Sequence, residues 1–343
     1  MIWKLAATLA ALTVSLSALA AEIPSPAPAT AGAPSGQENS YPGQDVTFPN
    51  GVRGKPGLVY WEPLGYRPLA LDLYLPPKTM PRPAEGFPLV VFIHGGAFLV
   101  GDPRQNLPFA DFPGVLASLS ARGYVVASVA YRLSGEAVFP AAIRDVKASI
   151  RWLRSHASDY GIDPARVMSW GTSAGGNLAG LAAVTCHVPF LEPVTKNKDI
   201  SDCVQGAVSW YGVFDIATLA SQAREENGAW RSVRDSPEYL MLGCFASECK
   251  GGQIAAASAV SYVNPQDPPM LLIVGTEDKT VPYHQTLEMA DKLKAAGVPH
   301  ELLVIPDVAH GFFGKTPEQT RVANLKALDA TFRFIDKTMN DIH

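Results

Sequence analysis

Apolar positions along this chain follow two alternating rhythms. Residues 89–93 and 124–129 are continuously apolar, the pattern of strands covered on both faces. Leu71, Leu73 and Leu75 alternate with Asp72 and Tyr74, as on a half-buried strand. Further strand-like runs lie at 166–170, 207–211, 270–274 and 301–305. Between residues 141 and 157, Ile143, Val146, Ile150 and Leu153 recur at helical spacing, and Gly161 to Pro164 break that helix. A Gly-, Ala- and Leu-rich segment from residue 173, and segments near 283–297 and 317–338, predict more helices. Repeated β-α alternation from about residue 58 predicts an α/β domain over 51–343, with a mostly parallel central sheet and helices on both faces. Residues 212–269 are too long for a simple connection. They predict a helical cap or lid insertion carrying Trp230, Tyr239, Met241 and Phe245.

The N-terminus reads differently. Lys4, an apolar stretch from Leu5 to Leu19 and the small-residue site Ala18-Leu19-Ala20 predict a cleaved signal peptide over 1–21. That stretch is short for a membrane span. Residues 22–50, with Pro24, Pro26, Pro28, Pro34 and Pro42, read as a disordered leader. The expected location is therefore secreted or periplasmic, without stable membrane insertion.

Composition narrows the function. Of 343 residues, 47% are hydrophobic and 17% charged, a globular profile with ample core. The formal net charge of -4 comes with no basic cluster, so nucleic acid is not an expected partner. Oligomeric state is not legible. In an oxidising compartment the four cysteines favour pairing. Of three possible arrangements, Cys186–Cys203 with Cys244–Cys249 closes two small loops and is preferred. A zinc site is disfavoured, because the four lack paired C-x-x-C spacing.

Chemistry concentrates after the strands. His94-Gly95-Gly96-Ala97-Phe98 follows the 89–93 run, where glycines let backbone N–H groups approach a ligand. Gly171-Thr172-Ser173-Ala174-Gly175 stands between a strand and a helix, the setting of a sharply turned serine nucleophile. A serine hydroxyl needs a base. Of seven histidines, His310 follows the final strand in a Gly-containing loop and is the expected base; His94 more plausibly orients its own loop. In this fold the acid falls between serine and histidine in chain order. Asp278 is the choice, with its neighbour Glu277 as the alternative. Oxyanion donors are expected from Ala174, Gly96 and Ala97, with Gly95 in reserve. No metal cluster, dinucleotide fingerprint or phosphate loop is apparent, and no cofactor is expected.

Taken together, the 94–98 and 171–176 motifs, Tyr131-Arg132-Leu133, the 139–146 segment and Tyr160-Gly161-Ile162-Asp163-Pro164 resemble the α/β-hydrolase serine carboxylesterases. The group includes hormone-sensitive-lipase-like esterases and exported feruloyl- and acetyl-esterase domains. The resemblance runs from about residue 55 to 335. It implies Ser173 as nucleophile, Asp278 as acid, His310 as base, and Gly96, Ala97 and Ala174 as oxyanion donors. Ala97 stands where many hormone-sensitive-lipase-like members have a third glycine, which implies a preference for less hindered esters. Arg132 and Asp145 are expected to form a structural ion pair. The expected function is an exported carboxylesterase working through an acyl-enzyme on short-chain, acetyl or feruloyl esters, free or linked to polysaccharide. An amidase, exopeptidase or lipid or polyester hydrolase would use the same triad.

Overall fold

The computed structural model describes residues 44–195, 197–226, 234 and 236–340. The expected signal peptide, Trp230 and His343 lie outside the described residues. Among the described residues nine strands form one sheet: β1 (Val46–Thr47), β2 (Arg53–Trp61), β3 (Leu69–Leu75), β4 (Phe87–Ile93), β5 (Val125–Val129), β6 (Ile162–Thr172), β7 (Gly206–Trp210), β8 (Met270–Gly275) and β9 (His300–Ile305). Their spatial order is β1-β2-β3-β5-β4-β6-β7-β8-β9. The first three strands join antiparallel, and β5 through β9 run parallel.

The helices are α1 (Phe112–Ser120), α2 (Ala141–Ser155), α3 (Ala157–Tyr160), α4 (Ala174–Val184), α5 (Ile216–Glu225), α6 (Pro237–Leu242), α7 (Gln253–Ala257), α8 (Tyr283–Ala296) and α9 (Pro317–Asn340). They cover both faces of the sheet, so β4, β5, β7 and β8 bury every side chain. On β4, Leu89, Val91 and Ile93 pack into one apolar cluster with α2 and α4, while Val90 and Phe92 pack into a second with α1 and α9. None of these helices is long and apolar enough to cross a membrane.

One boundary and one helix differ from the sequence reading. Residues 44–50, assigned above to the leader, carry β1. There the Lys55–Asp45 ion pair (2.8 Å), the Phe48 ring against Tyr74 (5.6 Å) and the Asn50 Nδ2 bond to the Ala117 carbonyl (3.1 Å) tie the segment to the domain. Helix α1 went unread because Pro113 and Gly114 interrupt its apolar rhythm. Its signal is Asp111, whose carboxylate caps the first turn by accepting from Gly114 N at 2.9 Å. The long 212–269 connection holds α5, α6 and α7, and Ile216, Leu219, Met241 and Leu242 are buried in the main core.

The connection after α4 is fastened by charge. Lys147 on α2 is fully buried, and burial pushes its ammonium pKa down. Its Nζ meets Asp202 at 3.0 Å and Glu192 at 2.8 Å, and donates to the Thr185 carbonyl at 2.7 Å. Arg154, lowered to about 10 by burial, donates to the carbonyls of Ser201 and Cys203. The same corner is closed by a disulfide between Cys186 and Cys203, with Cα atoms 4.9 Å apart. A second joins Cys244 to Cys249. Replacing Cys186 and Cys203 together by serine should cost about 3 kcal/mol for a loop of this length and lower the melting temperature by roughly 5 °C. Calorimetry checks this; an unchanged melting temperature would mean that the ion cluster alone fixes the loop.

Candidate active site

The parallel register brings four strand ends to one edge. Ile93 of β4 lies beside Gly171 of β6, Thr172 beside Trp210 of β7, and Trp210 beside Ile273 of β8. Every segment that leaves this edge enters the site. Ser173 stands between β6 and α4 with φ 54° and ψ -119°, a conformation costly for a residue bearing a Cβ. It persists because the flanking chain is packed too closely to relax. A Cβ on Gly171 would come within 2.0 Å of the Gly175 carbonyl oxygen, and one on Gly175 within 2.0 Å of the Ile93 oxygen. Ser173 N donates to the Trp210 carbonyl at 2.9 Å, locking the turn to β7.

His310 follows β9 and faces the serine. Its Nε2 lies 2.9 Å from Ser173 Oγ, and its Nδ1 lies 2.7 Å from Asp278 Oδ2. Asp278 is fully buried. Its other oxygen, Oδ1, accepts from the backbone N–H groups of Thr280 and Val281, both at 2.9 Å. Those two donors fix the carboxyl group and leave Oδ2 facing the imidazole. With Nδ1–H given to Asp278, Nε2 holds the lone pair that accepts the serine proton. Glu277 is exposed and contributes only its backbone N–H, to the Val308 carbonyl at 3.0 Å.

The loop after β4 closes the third side. Gly95 lies against Ser173, since a Cβ there would sit 3.3 Å from Ser173 Cβ. Gly96, Ala97 and Phe98 all have positive φ, at 114°, 56° and 61°. The Gly96 carbonyl accepts from Leu99 N and Val100 N, and the Phe98 carbonyl from Ser134 N. This backbone frame directs the loop toward Ser173, where Ala174 opens α4 with the unpaired N–H groups of a helix start. His94 is 2% exposed and stacks on Tyr131 at 4.4 Å. Burial lowers its pKa and keeps it neutral, and Nδ1 engages the Gly95 carbonyl at 2.7 Å.

The other histidines lie elsewhere. His156 caps α2, His284 pairs with Glu226, and His300 opens β9. Nε2 of His187 is 3.7 Å from Cys203 Sγ, but the sulfurs there are bonded to each other and offer no thiolate. Arg132 and Asp145 form a buried bidentate pair at 2.6 and 2.9 Å.

Several contributors were not identified as site residues from sequence. Tyr211, one residue past β7, is buried with its ring 4.6 Å from that of His310, and burial raises its phenol pKa so that it stays neutral beside Asp278. Asn324 on α9 donates to the Gly311 carbonyl at 3.2 Å, anchoring the residue after His310. Asn106 accepts from Thr172 Oγ1 at 3.1 Å, beside the nucleophile. Only the position of Tyr211 at a strand's carboxyl end could have flagged it.

Known proteins resemble this chain in sequence and in fold. The sequence pattern of the BD-FAE family matches residues 71–293, and that of the dienelactone hydrolase family matches 249–339. Esterase LipQ of Mycobacterium tuberculosis is 28% identical over 278 residues, covering 81% of this chain and 59% of that protein. Probable carboxylic ester hydrolase LipM of the same organism is 30% identical over 229 residues, 66% of this chain and 49% of that one. The chain thus spans about half the length of these relatives. Among solved structures, a thermophilic esterase of Thermogutta terrifontis superposes with TM-score 0.64 at 28% identity, over 81% of this chain and 90% of that one. A bifunctional GH43-CE protein of Bacteroides eggerthii gives 0.70 at 28%, over 83% of this chain and 35% of that one.

Two substitutions test the geometry. Asp278→Asn should leave the fold intact but reverse the imidazole tautomer, lowering kcat by about 10⁴-fold. Gly175→Ala should be far more disruptive than an ordinary helix substitution, because the new methyl must displace the Ile93 carbonyl. Circular dichroism alongside turnover separates the two effects; near-native turnover by the asparagine variant would contradict the assigned roles.

Proposed function

The chain belongs to the BD-FAE family, and from that premise we propose that it is an exported serine carboxylesterase acting through an acyl-enzyme. The observation that carries this reading is the relay from Ser173 Oγ through His310 Nε2 and Nδ1 to Asp278, with contacts of 2.9 and 2.7 Å. His310 takes the serine proton as Oγ attacks the ester carbonyl carbon. Asp278 holds the imidazole in orientation and stabilises the imidazolium. The carbonyl oxygen becomes an oxyanion facing the N–H groups of Gly96, Ala97 and Ala174, with Gly95 alongside; each such donor is worth about 10²–10³ in turnover. His310 then protonates the departing alcohol, and water, deprotonated by the same histidine, releases the acid.

Export rests on the N-terminal sequence and is compatible with two disulfides. The substrates proposed are short-chain, acetyl or feruloyl esters. Relatives named as esterases support an ester, and the segment 212–269 is proposed as the cap that shapes the pocket.

The test is a panel of p-nitrophenyl acetate, butyrate and octanoate, methyl ferulate, acetylated xylan and an aminoacyl anilide, with pre-steady-state mixing on the chromogenic esters. A burst of about one equivalent of p-nitrophenol, absent in Ser173→Ala, is expected if acylation outpaces deacylation. Esters should be turned over far faster than the anilide. Ester turnover retained by Ser173→Ala would overturn the mechanism, and a dominant anilide rate would overturn the substrate class.

A further inference from the structure

The disulfide that closes the corner after α4 faces a cavity of about 440 Å³, a size that holds a small ligand. We propose that it is a thiol-exchange site: a low-molecular-weight thiol adds to Cys186, and the Cys203 thiolate is taken up by His187. The proposal stands apart from the hydrolytic reading.

The two sulfurs are placed unequally. Cys186 is exposed and Cys203 half-buried, and both line the cavity together with His187. A turn closed by Val188 N donating to the Thr185 carbonyl at 3.2 Å holds His187 at φ 61°. Its ring is thereby turned back on the disulfide. Nε2 lies 3.7 Å from Cys203 Sγ, within the reach of a hydrogen bond to sulfur. Asn264, Gln266 and Asp267 add polar lining suited to a hydrophilic thiol. The second disulfide is placed differently: Cys244 Sγ lies 3.3 Å from Gln253 Oε1, a carbonyl oxygen that cannot support a thiolate.

That asymmetry fixes the direction of exchange. An attacking thiolate reaches the exposed sulfur, and the better-supported sulfur leaves. The incoming sulfur bonds to Cys186 Sγ, and the bond between the cysteines breaks with its electron pair on Cys203 Sγ. The proton given up by the incoming thiol ends on His187, so imidazolium and thiolate face each other as an ion pair. One disulfide is exchanged for another, and no further oxidant or reductant is consumed. In reverse, the Cys203 thiolate attacks Cys186 Sγ, expels the small thiol and closes the ring again.

Reversal requires the two cysteines to stay together once the bond opens, and buried charge keeps them there. Lys147 Nζ grips the residue before each cysteine at once, the Thr185 carbonyl at 2.7 Å and Asp202 at 3.0 Å. Arg151 adds a contact to Asp202 at 2.6 Å, and Arg154 donates to the Cys203 carbonyl at 2.8 Å. The covalent link and the ion cluster span the same gap, so opening one leaves the other in place.

The test is incubation of the purified chain with reduced glutathione, quenched at intervals with excess N-ethylmaleimide and mapped by mass spectrometry. Glutathione on Cys186 and maleimide on Cys203 are expected, with Cys244–Cys249 still intact. His187→Asn, which tolerates the left-handed backbone, should slow adduct formation about tenfold. His187→Lys restores a cation and should recover part of that rate. Both variants should melt with the parent, since His187 is exposed. Removing glutathione before the quench should restore the disulfide. Glutathione on Cys203, earlier opening of Cys244–Cys249, or an unchanged rate in His187→Asn would each overturn the proposal. So would an adduct that persists after glutathione is removed, or a protein in which neither disulfide reacts.

Discussion

Everything in the site hangs on one close approach of backbone to backbone. The turn from β6 into α4 passes so near the end of β4 that Gly175 has no room for a side chain beneath the Ile93 carbonyl. That contact holds Ser173 in its positive-φ conformation and sets the distance from the nucleophile to the loop at 95–97. Relaxing it by even an ångström would spoil both the hydrogen bond to His310 and the aim of the loop. The cost of the strained serine, about 1–3 kcal/mol, is borne by a sheet whose central strands are buried on both faces.

The remaining parts reach this point from far along the chain. His310 lies 137 residues from Ser173 and 32 from Asp278. Parallel strands in register make that convergence inevitable, since each strand ends at the same edge and the segment leaving it can do little but cross the site. The supports follow the same economy. Tyr211 leaves β7 to pack against His310, Asn324 fastens the loop after it, and Phe312 fills the space beneath Trp210 at 5.3 Å.

How legible this was depends on what each residue does. The burial of β4 and of the central part of β6 on both faces writes a continuous apolar run that can be read directly, and Ser173, Asp278 and His310 each stand after a strand-like segment. β2 was harder: Lys55, Pro56 and Gly57 break its pattern, and its pairing with β3 contains irregular register. α1 was hidden by Pro113 and Gly114 despite the cap at Asp111. Tyr211, Asn106 and Asn324 act through tertiary neighbours, His310, Thr172 and Gly311, that are 13 or more residues away in the chain, so no local pattern marks them. The buried Lys147 was likewise unreadable, because its partners Glu192 and Asp202 come from a distant loop.

The central claim is that Ser173 is the nucleophile and that the pocket's chemistry passes through it. The purified protein would be titrated with a fluorophosphonate, residual ester hydrolysis followed, and the labelled peptide located by mass spectrometry. One phosphonyl group on Ser173, accumulating in step with loss of activity, is the predicted result. A label on any other residue, or full activity in protein labelled at Ser173, would contradict the account.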